Sequence, residues 1–224
     1  MFSELVESLR CVRAHEPTGL VAVAFETRDR DIVRGSLGCP ECKAEFPIAD
    51  ATADFRDGAE GPALPPAKSR PEDVLAMRAG ALLGLEEPGG VVVLAGAWSA
   101  AAPELAALTQ AVKILALDAA PGVASGDGIS LARTAGVMPL RAGAARGIAL
   151  DAAHARESYV SSAVGALAPR GRLIAPAACA VPDGVRELAR DAHDWVGEKI
   201  GAPAVVPLTR APKGATAQLS PPDS

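Results

Sequence analysis

Two patterns of apolar and polar positions run along the chain. From residue 72 onward, short apolar runs alternate with segments in which apolar residues recur at helical spacing. Two of the runs are Val91–Ala95 and Lys113–Asp118, and continuous runs of this length are typical of strands buried on both faces of a parallel sheet. The alternation of strand and helix predicts an α/β body built on an open, mostly parallel, doubly wound sheet.

The same spacing rules predict the other elements of this body. A capping-box pattern at Ser69–Glu72 predicts the start of the first helix. The buried face of that helix is expected to contain four residues at helical spacing, namely Val74, Met77, Ala81 and Leu85. Further strands are predicted at 135–140, 147–151, 172–176 and, at an edge of the sheet, 204–208. Further helices are predicted at 103–112, 154–167 and 182–200.

The residues before position 56 follow a different pattern. A short helix at 4–9 is followed by strand-like segments at 19–27, 32–37 and 43–48. Residues 56–71 are rich in Gly and Pro and predict a linker, whereas the polar residues 209–224 predict a flexible tail. The predicted organisation is therefore a small module at 1–55, a linker at 56–71, an α/β domain at 72–208 and a tail at 209–224.

Composition narrows the classes of protein to which the chain belongs. A hydrophobic fraction of 49% is enough for a core and excludes general disorder. The formal net charge of -5 does not indicate a nucleic-acid-binding surface and leaves room only for a local basic patch. No apolar run reaches membrane-spanning length, so we expect a cytoplasmic protein without a membrane partner.

Three of the four cysteines lie in the N-terminal module. Cys39 and Cys42 form a Cys-x-x-Cys pair, which lets two thiolates converge on one tetrahedral metal ion. Cys11 and His15 are the candidates for the other two ligands, because a predicted hairpin would bring the two pairs together. Cytoplasmic cysteines are reduced, so zinc is favoured over a disulfide. Three alternatives stay open: a redox pair, a knuckle that has lost its metal, and His15 as an ordinary surface residue.

Residues 4–55 resemble the small zinc-ribbon proteins that activate tRNA and protein methyltransferases. The matching residues are Leu9-Arg10-Cys11, Cys39-Pro40-Glu41-Cys42 and Phe46-Pro47-Ile48-Ala49-Asp50. In that family the first cysteine begins a Cys-Pro-x-Cys motif, whereas Ala14 stands here in place of its second cysteine. The resemblance implies a zinc site in which His15 is the substitute ligand. It also implies a protein partner, since these activators cover an apolar edge of their methyltransferase.

The carboxyl ends of the predicted strands mark a second candidate site, because doubly wound sheets bind ligands in the crevice there. Gly96 follows the first strand, and Asp118 ends the second strand 22 residues later. A carboxylate about 20 residues after a glycine turn is the pattern in which an acid binds ribose hydroxyls. Met138 is predicted on the third strand, where it could flank an adenine, and Asp151 ends the fourth. The alternative is that Asp118 is an ordinary solvated turn residue.

Residues 72–208 resemble class I S-adenosylmethionine-dependent methyltransferases. The resemblance rests on the residues at the first strand, at the second strand and before the fourth, which are Pro88–Leu94, Ile114–Asp118 and Met138–Leu140. The segment Ala163–Ile174 is similar to the family's Leu-x-Pro-Gly-Gly-x-Leu turn, with Arg170 in place of one glycine. The fold that this resemblance implies is the doubly wound sheet already predicted from the apolar runs.

S-adenosylmethionine is the cofactor that the resemblance implies, with Gly96, Asp118 and Met138 as its binding residues. Active members of the family carry a Gly-x-Gly-x-Gly-type loop, because backbone must approach the methionine part of the cofactor without intervening side chains. Here one glycine is present, and Trp98 adds bulk near the place of the cofactor. No catalytic motif follows the fourth strand, so no catalytic residue is predicted, and His154 at the crevice rim is a candidate base only.

Three functions are compatible with these observations. The first is a degenerate, non-catalytic methyltransferase fold that is fused to its own activator-like module and acts as a binding or partner subunit. The second is an active methyltransferase with a variant cofactor loop. The third is a body that binds another nucleotide-like ligand and regulates a partner. Trp98 and the missing glycines favour the first function, whereas the retained Asp118 favours the second.

Overall fold

The computed structural model describes residues 1–64 and 72–201. The N-terminal part begins with a 3-10 helix at Ser3–Ser8 and continues with four strands. These strands are β1 (Val21–Arg28), β2 (Asp31–Gly38), β3 (Glu45–Ala49) and β4 (Thr52–Asp54). The helix and the first three strands confirm the elements predicted for this part of the chain.

The remaining described residues contain three α-helices and seven strands. The first elements are α1 (Glu72–Leu83), β5 (Val91–Ala95), a 3-10 helix at Gly96–Ala101, α2 (Ala102–Leu108), β6 (Lys113–Leu117), β7 (Ile129–Arg133) and β8 (Ala145–Ala149). They are followed by a 3-10 helix at Ala152–His154, α3 (Glu157–Ala166), β9 (Leu167–Pro176), β10 (Val185–Arg190) and β11 (Asp194–Lys199). The predicted edge strand at 204–208, the tail and most of the capping-box pattern lie outside the described residues.

All eleven strands form one sheet in the order β1-β2-β3-β4-β7-β6-β5-β8-β9-β11-β10. The central strands from β4 to β9 pair in parallel, and the strands at both ends pair antiparallel. The sheet is therefore mixed, and the prediction of a mostly parallel sheet holds only for its centre. Strands β6 and β7 lie on one side of β5, and β8 and β9 lie on the other side. The strand order therefore reverses between β5 and β8, which is the topological switch point of a doubly wound fold.

Side chains alternate between two apolar layers, one on each face of the sheet. On β5, Val91, Val93 and Ala95 face the layer that contains α3 and the N-terminal residues. Val92 and Leu94 face the opposite layer, which contains α1 and α2. Covering on both faces explains why β5 is apolar at every position.

The N-terminal module and the α/β body are joined through the sheet itself. Strand β4 pairs antiparallel with β3 and parallel with β7, so backbone hydrogen bonds continue from one part into the other. The two parts also share one apolar layer, in which Leu37 and Phe46 lie in the same cluster as Val93 and Tyr159. The boundary predicted at residue 56 therefore does not interrupt the sheet.

The third strand of the body lies at Ile129–Arg133 and not at 135–140, where it was predicted. Residues 134–139 form no strand, because Gly136 has a φ of 124° and Pro139 lacks an N–H for the ladder. Ile129 and Ala132 supply the buried positions of β7 instead. The apolar residues Met138 and Leu140 are buried from a loop.

The helix predicted at 182–200 is wrong, because these residues form the antiparallel hairpin of β10 and β11. Its turn is stabilised by the Asp191 carboxylate, which accepts hydrogen bonds from the backbone N–H groups of His193 and Asp194. Trp195 is buried, and its Nε1–H donates to the carbonyl oxygen of Cys179 over 2.9 Å. Pairing of β11 with β9 places Trp195 and Val196 among the buried residues.

Helix α1 also presents a different face from the one predicted. Val74 and Met77 are 48% and 62% exposed and Ala81 is exposed, whereas Leu85 is buried as predicted but lies beyond the end of the helix. The buried residues of α1 itself are Leu75, Ala76, Ala79 and Leu83. The buried face contains two alanines, which allow the helix to lie close to the layer that holds Trp98 and Leu105. Among the described residues, no helix is long and apolar enough to cross a membrane.

Candidate functional site

The four predicted metal ligands lie together in the N-terminal part. Cys11 follows the first 3-10 helix, Cys39 and Cys42 flank the turn between β2 and β3, and His15 lies in the loop before β1. One ligand atom from each residue lies within 4.8 Å of all the others. This Cys3His cluster is the arrangement expected from the sequence spacing.

The distances within the Cys3His cluster fit a tetrahedral ion. Cys11 Sγ lies 3.7 Å from Cys42 Sγ, and Cys39 Sγ lies 3.5 Å from His15 Nε2. Zinc bonds of about 2.3 Å to sulfur and about 2.0 Å to nitrogen, at tetrahedral angles, place two sulfurs about 3.8 Å apart and a sulfur and a nitrogen about 3.5 Å apart. The donor set and the spacing therefore both fit zinc.

Backbone groups orient the members of the cluster. His15 Nδ1 lies 2.7 Å from the carbonyl oxygen of Glu16, which holds the proton on Nδ1 and leaves Nε2 as the ligand atom. Lys43 has a φ of 59°, and its N–H donates to the carbonyl oxygen of Cys39 over 3.0 Å, which closes the turn. The two pairs of ligands are therefore held from the main chain.

The thiols differ in their electrostatic surroundings. Burial raises the pKa of Cys11 above its ordinary value. Burial also acts to raise the pKa of Cys39, but backbone N–H groups of Cys42 and Glu41 donate to its sulfur and lower the pKa overall. Such N–H donors stabilise a thiolate, which is the protonation state that binds metal.

The second cluster lies at the carboxyl ends of β6 and β8. Asp118 directly follows β6, has a φ of 48° and is buried. Its Oδ1 accepts the Thr134 N–H over 3.1 Å, and its Oδ2 accepts the Thr134 hydroxyl over 2.6 Å. The Nε2 atom of His154 lies 3.1 Å from the same Oδ2. Asp118 is thus an internal acceptor and not a solvated turn residue.

Asp151 contacts His154 from the opposite side. Its Oδ1 lies 2.6 Å from His154 Nδ1 and also accepts the N–H groups of Ala153 and His154, so it caps the short helix at Ala152–His154. Its Oδ2 accepts the N–H of Ala97 over 2.8 Å. The buried imidazole therefore connects the ends of β6 and β8, and we call this set the Asp118–His154–Asp151 bridge.

The bridge perturbs the protonation of its members. Burial acts to lower the pKa of His154, but the hydrogen bonds to Asp118 and Asp151 outweigh it and raise the pKa to about 9. Burial acts to raise the pKa of Asp151, and the bonds to His154 and to the Ala97 N–H lower it overall. The neighbouring Tyr159 has a raised pKa because it is buried. At neutral pH, His154 is therefore an imidazolium between two carboxylates.

Gly96 and Trp98 complete the end of β5. Gly96 has a φ of 58°, and a Cβ placed on it would lie 2.0 Å from Asp151 Oδ2. Trp98 is 4% exposed and belongs to the layer of α1 and α2. A cavity of about 400 Å³ remains beside this loop, lined in part by Trp98, Asp151 and His193.

The structure brings together only some of the predicted cofactor-binding residues. Asp118 is a member of the bridge, and Gly96 lies directly against the Asp151 carboxylate. Met138, in contrast, lies in the loop before β8 and is fully buried. The Met138 N–H donates to Ser162 Oγ over 3.0 Å. His154, the candidate base, is 1% exposed and lies inside the fold, not at its rim.

Sequence reasoning missed the residues that surround Asp118. Thr134 binds both oxygens of that carboxylate, and its hydroxyl lies 3.2 Å from the Tyr159 hydroxyl. Ser99 is also buried, and its Oγ accepts the Ala120 N–H and donates to the Gly96 carbonyl oxygen. The one sequence signal that could indicate a site role for Thr134 is its position directly after β7. That signal was lost because the strand was predicted at 135–140.

No protein-family model and no curated protein matches the chain. Among solved structures, the chain is similar to a Galdieria sulphuraria protein described as a sarcosine dimethylglycine methyltransferase, with 17% identity, a TM-score of 0.36, and coverage of 46% of this chain and 45% of that one. It is also similar to a complex of the Haloferax volcanii Trm112 methyltransferase activator with its assigned methyltransferase, with 17% identity, a TM-score of 0.35, and coverage of 49% and 61%.

These similarities span 45% and 61% of the two solved structures, which is less than two thirds of either.

Proposed function

We propose that this chain is a methyltransferase-like protein without methyltransferase activity and that it acts as a binding or partner subunit. The observation that carries the proposal is the Asp118–His154–Asp151 bridge. It joins the ends of β6 and β8, which lie on either side of β5, and Asp151 also accepts the Ala97 N–H just after β5. At the place where a doubly wound sheet binds its nucleotide, these polar groups therefore have one another as partners.

Asp118 does not fit the ribose-binding role that its position suggests. One of its oxygens accepts the Thr134 N–H, and the other is shared by the Thr134 hydroxyl and His154. A ribose would have to displace these partners from a carboxylate that is 2% exposed. Leaving a buried charged group without its partners costs more than a pair of ribose hydrogen bonds returns.

The loop after β5 does not fit the methionine part of S-adenosylmethionine either. Gly96 is needed here for its approach to Asp151, because a Cβ would overlap that carboxylate. Ala97 donates its N–H to the same carboxylate, which occupies a main-chain donor of the loop. The residues present therefore do not fit this cofactor.

We further propose that Cys11, His15, Cys39 and Cys42 bind one zinc ion with a structural role. Four protein ligands would close the coordination sphere, which is typical of structural and not of catalytic zinc. Zinc would supply a cross-link between the loop before β1 and the turn after β2, in a module whose own core is small. Residues 1–55 would then act as a built-in zinc-ribbon module on the sheet edge of the 72–208 domain, with 56–71 as the connection.

Isothermal titration calorimetry with S-adenosylmethionine and S-adenosylhomocysteine tests the main proposal. We expect no binding to the wild-type chain at ligand concentrations up to about 1 mM, which corresponds to less than about 4 kcal/mol of binding free energy. The matched variant is Asp118→Ala. Micromolar binding to the wild type that Asp118→Ala abolishes would contradict the proposal.

That outcome would support the alternative function, an active S-adenosylmethionine-dependent methyltransferase with a variant cofactor loop. The alternative is favoured by one observation, the cavity of about 400 Å³ beside Ala97, Trp98 and Asp151. A methyl-transfer assay alone is less informative, because the residues of this cavity do not identify a methyl acceptor.

A further inference from the structure

A cavity of about 400 Å³ opens at the carboxyl ends of β5, β8 and β9, beside the loop that holds Trp98. Its walls are mainly apolar and include Leu75 of α1 and Pro176 at the end of β9. Two carboxylates, those of Asp151 and Asp194, also line it. A cavity of this size, with a few polar groups among apolar walls, is typical of a site for a small organic molecule.

The indole N–H of Trp98 has no hydrogen-bond acceptor within residues 1–64 and 72–201, although Trp98 is only 4% exposed. The other tryptophan, Trp195, is also buried, and its Nε1–H donates to the carbonyl oxygen of Cys179 over 2.9 Å. Buried indole N–H groups almost always have such a partner. Trp98 Nε1 is not completely enclosed by protein atoms, and Trp98 lines the cavity. Its unpaired N–H therefore indicates that an acceptor belongs in the cavity.

Two sets of charged side chains contribute to the cavity, and each set contains one more acid than base. The Asp118–His154–Asp151 bridge holds one imidazolium between two carboxylates. In the second set, Arg78 donates from one nitrogen to Asp191 Oδ2 over 2.7 Å and to Asp194 Oδ2 over 3.0 Å. The other oxygen of Asp194 accepts no hydrogen bond from any described residue, although the side chain is only 12% exposed. Both sets therefore carry an excess negative charge.

We propose that this cavity binds a small aliphatic compound that carries one ammonium group and one uncharged oxygen acceptor. The ammonium group donates to Asp194 Oδ1 and is attracted by the excess negative charge of both sets. The oxygen accepts the Trp98 N–H, and the aliphatic chain contacts apolar walls such as Leu75 and Pro176. A carboxylate or phosphate in place of the uncharged oxygen is disfavoured, because it would be repelled by the same negative charges.

This inference rests on the proposed function, in which the chain binds without methylating, and it adds the chemical class of a ligand. Propanolamine is a probe that has all three features. Propylamine lacks its oxygen, propanediol lacks its positive charge, and beta-alanine has a carboxylate in place of the hydroxyl. At about pH 7 the three amines are protonated, since alkylammonium groups have pKa values of about 10. Phosphate buffer is required, because Tris is itself an amino alcohol.

NMR titration of the full-length chain with each probe, up to about 50 mM, measures the dissociation constants and tests the proposal. Propanolamine should bind at least about tenfold more tightly than propanediol or beta-alanine, because the charge-assisted contact is the stronger one. It should bind about threefold more tightly than propylamine, since a bond to an uncharged acceptor adds less. Propanolamine should also shift the indole N–H resonance of Trp98, whereas that of Trp195 is the internal control and should stay in place.

Three variants assign the contacts, and circular dichroism confirms that each is folded. Asp194→Asn should weaken both propanolamine and propylamine at least about tenfold. Trp98→Phe should remove the preference for propanolamine over propylamine, because the ring stays apolar but loses its N–H. Asp183→Asn is the matched control, because Asp183 is exposed and does not line the cavity, and it should leave both dissociation constants unchanged.

Three results would overturn the inference: no binding of any amine, equal binding of propanediol and propanolamine, or an Asp194→Asn chain that binds like the wild type. The titration with S-adenosylmethionine separates this failure from that of the proposed function. Micromolar binding of S-adenosylmethionine that Asp118→Ala abolishes would contradict the proposed function, whereas failure of the amines without such binding would overturn only the ligand class.

Discussion

The Nε2 atom of His154 lies 3.1 Å from Oδ2 of Asp118, and both side chains are buried. The two residues are 36 positions apart and follow different strands, so the contact ties the end of β6 to the end of β8. Because Asp151 contacts the other ring nitrogen, His154 is the shared hydrogen-bond partner of two acidic side chains. This relationship places a buried imidazole between the carboxyl ends of two strands of the sheet.

Replacing His154 should strongly destabilise the fold. His154→Ala removes the shared partner of Asp118 and Asp151 and leaves two carboxylates without it, one of them fully buried, which costs about 3 to 5 kcal/mol of unfolding free energy. Urea denaturation measures this loss. His193→Ala is the matched control, because His193 is exposed, and its effect should stay within about 0.5 kcal/mol. Equal effects of the two variants would contradict an internal role for the bridge.

Stability should depend on pH through the same histidine. The pKa of His154 is raised from 6.5 to about 9, so the protonated form is bound more tightly in the folded state. Its contribution, about 3 kcal/mol, is fully present below pH 6.5 and is lost as the pH rises through about 9. Asp151 has a lowered pKa, so its contribution is present above its ordinary value of 3.8 and is lost as the pH falls below it.

Urea denaturation between about pH 6 and about pH 10 checks the basic limb of this prediction, since the window brackets both pKa values of His154. The wild type should lose stability across that window, and the difference between it and His154→Ala should shrink as the pH rises. A difference that is constant with pH would show that the two carboxylates do not hold the proton on His154.

The apolar runs predicted the centre of the sheet well. Every residue of β5 is apolar and buried, and so is every residue of β6 after Lys113, because both faces of these strands are covered. Strand β7 was misplaced because 135–140 is about as apolar as 129–133, and only the sheet distinguishes them. The sequence predicted a helix in place of the β10–β11 hairpin because the many charged residues there are compatible with both helical and strand periodicity. The burial of Trp195 gives no local signal, because it depends on the pairing of β11 with β9.

The two clusters differ in how far the sequence predicts them. Cysteine spacing is a local signal with few interpretations, so the Cys3His cluster could be found, including His15 as its fourth member. The Asp118–His154–Asp151 bridge could not, because the depth of His154 depends on how the ends of two strands approach each other. Nothing in the sequence near Thr134 or Tyr159 distinguishes a partner of Asp118 from an ordinary core residue.

Purified protein should contain zinc at close to one ion per chain. Removal of the metal with a strong chelator should unfold the residues around Cys39 and expose them to protease, because the ion would connect two loops of a small core. His15→Ala should weaken zinc binding at least about 10-fold and Cys39→Ser at least as much, measured by competition with a chromophoric chelator. Cys179→Ser is the control, because Cys179 lies outside the Cys3His cluster. Unchanged zinc content in His15→Ala would show that another group is the fourth ligand.

Gly96→Ala should destabilise the chain far more than an ordinary glycine replacement. Two effects add at this position: the φ of 58° disfavours a side chain, and a Cβ would lie 2.0 Å from Asp151 Oδ2. Gly143→Ala separates them, because Gly143 has a φ of 73° with nothing within 4 Å of its Cβ position. We expect a loss of about 1 kcal/mol for Gly143→Ala, from the backbone conformation alone.

For Gly96→Ala we expect about 3 kcal/mol or more, since the Asp151 carboxylate must move and release both the Ala97 N–H and His154. Urea denaturation of both variants measures the difference. The pKa of His154, followed by NMR, should also fall in Gly96→Ala and stay at about 9 in Gly143→Ala, because only the first displaces one of its two carboxylates. Similar losses in the two variants, with an unshifted histidine, would show that the loop after β5 is independent of the bridge.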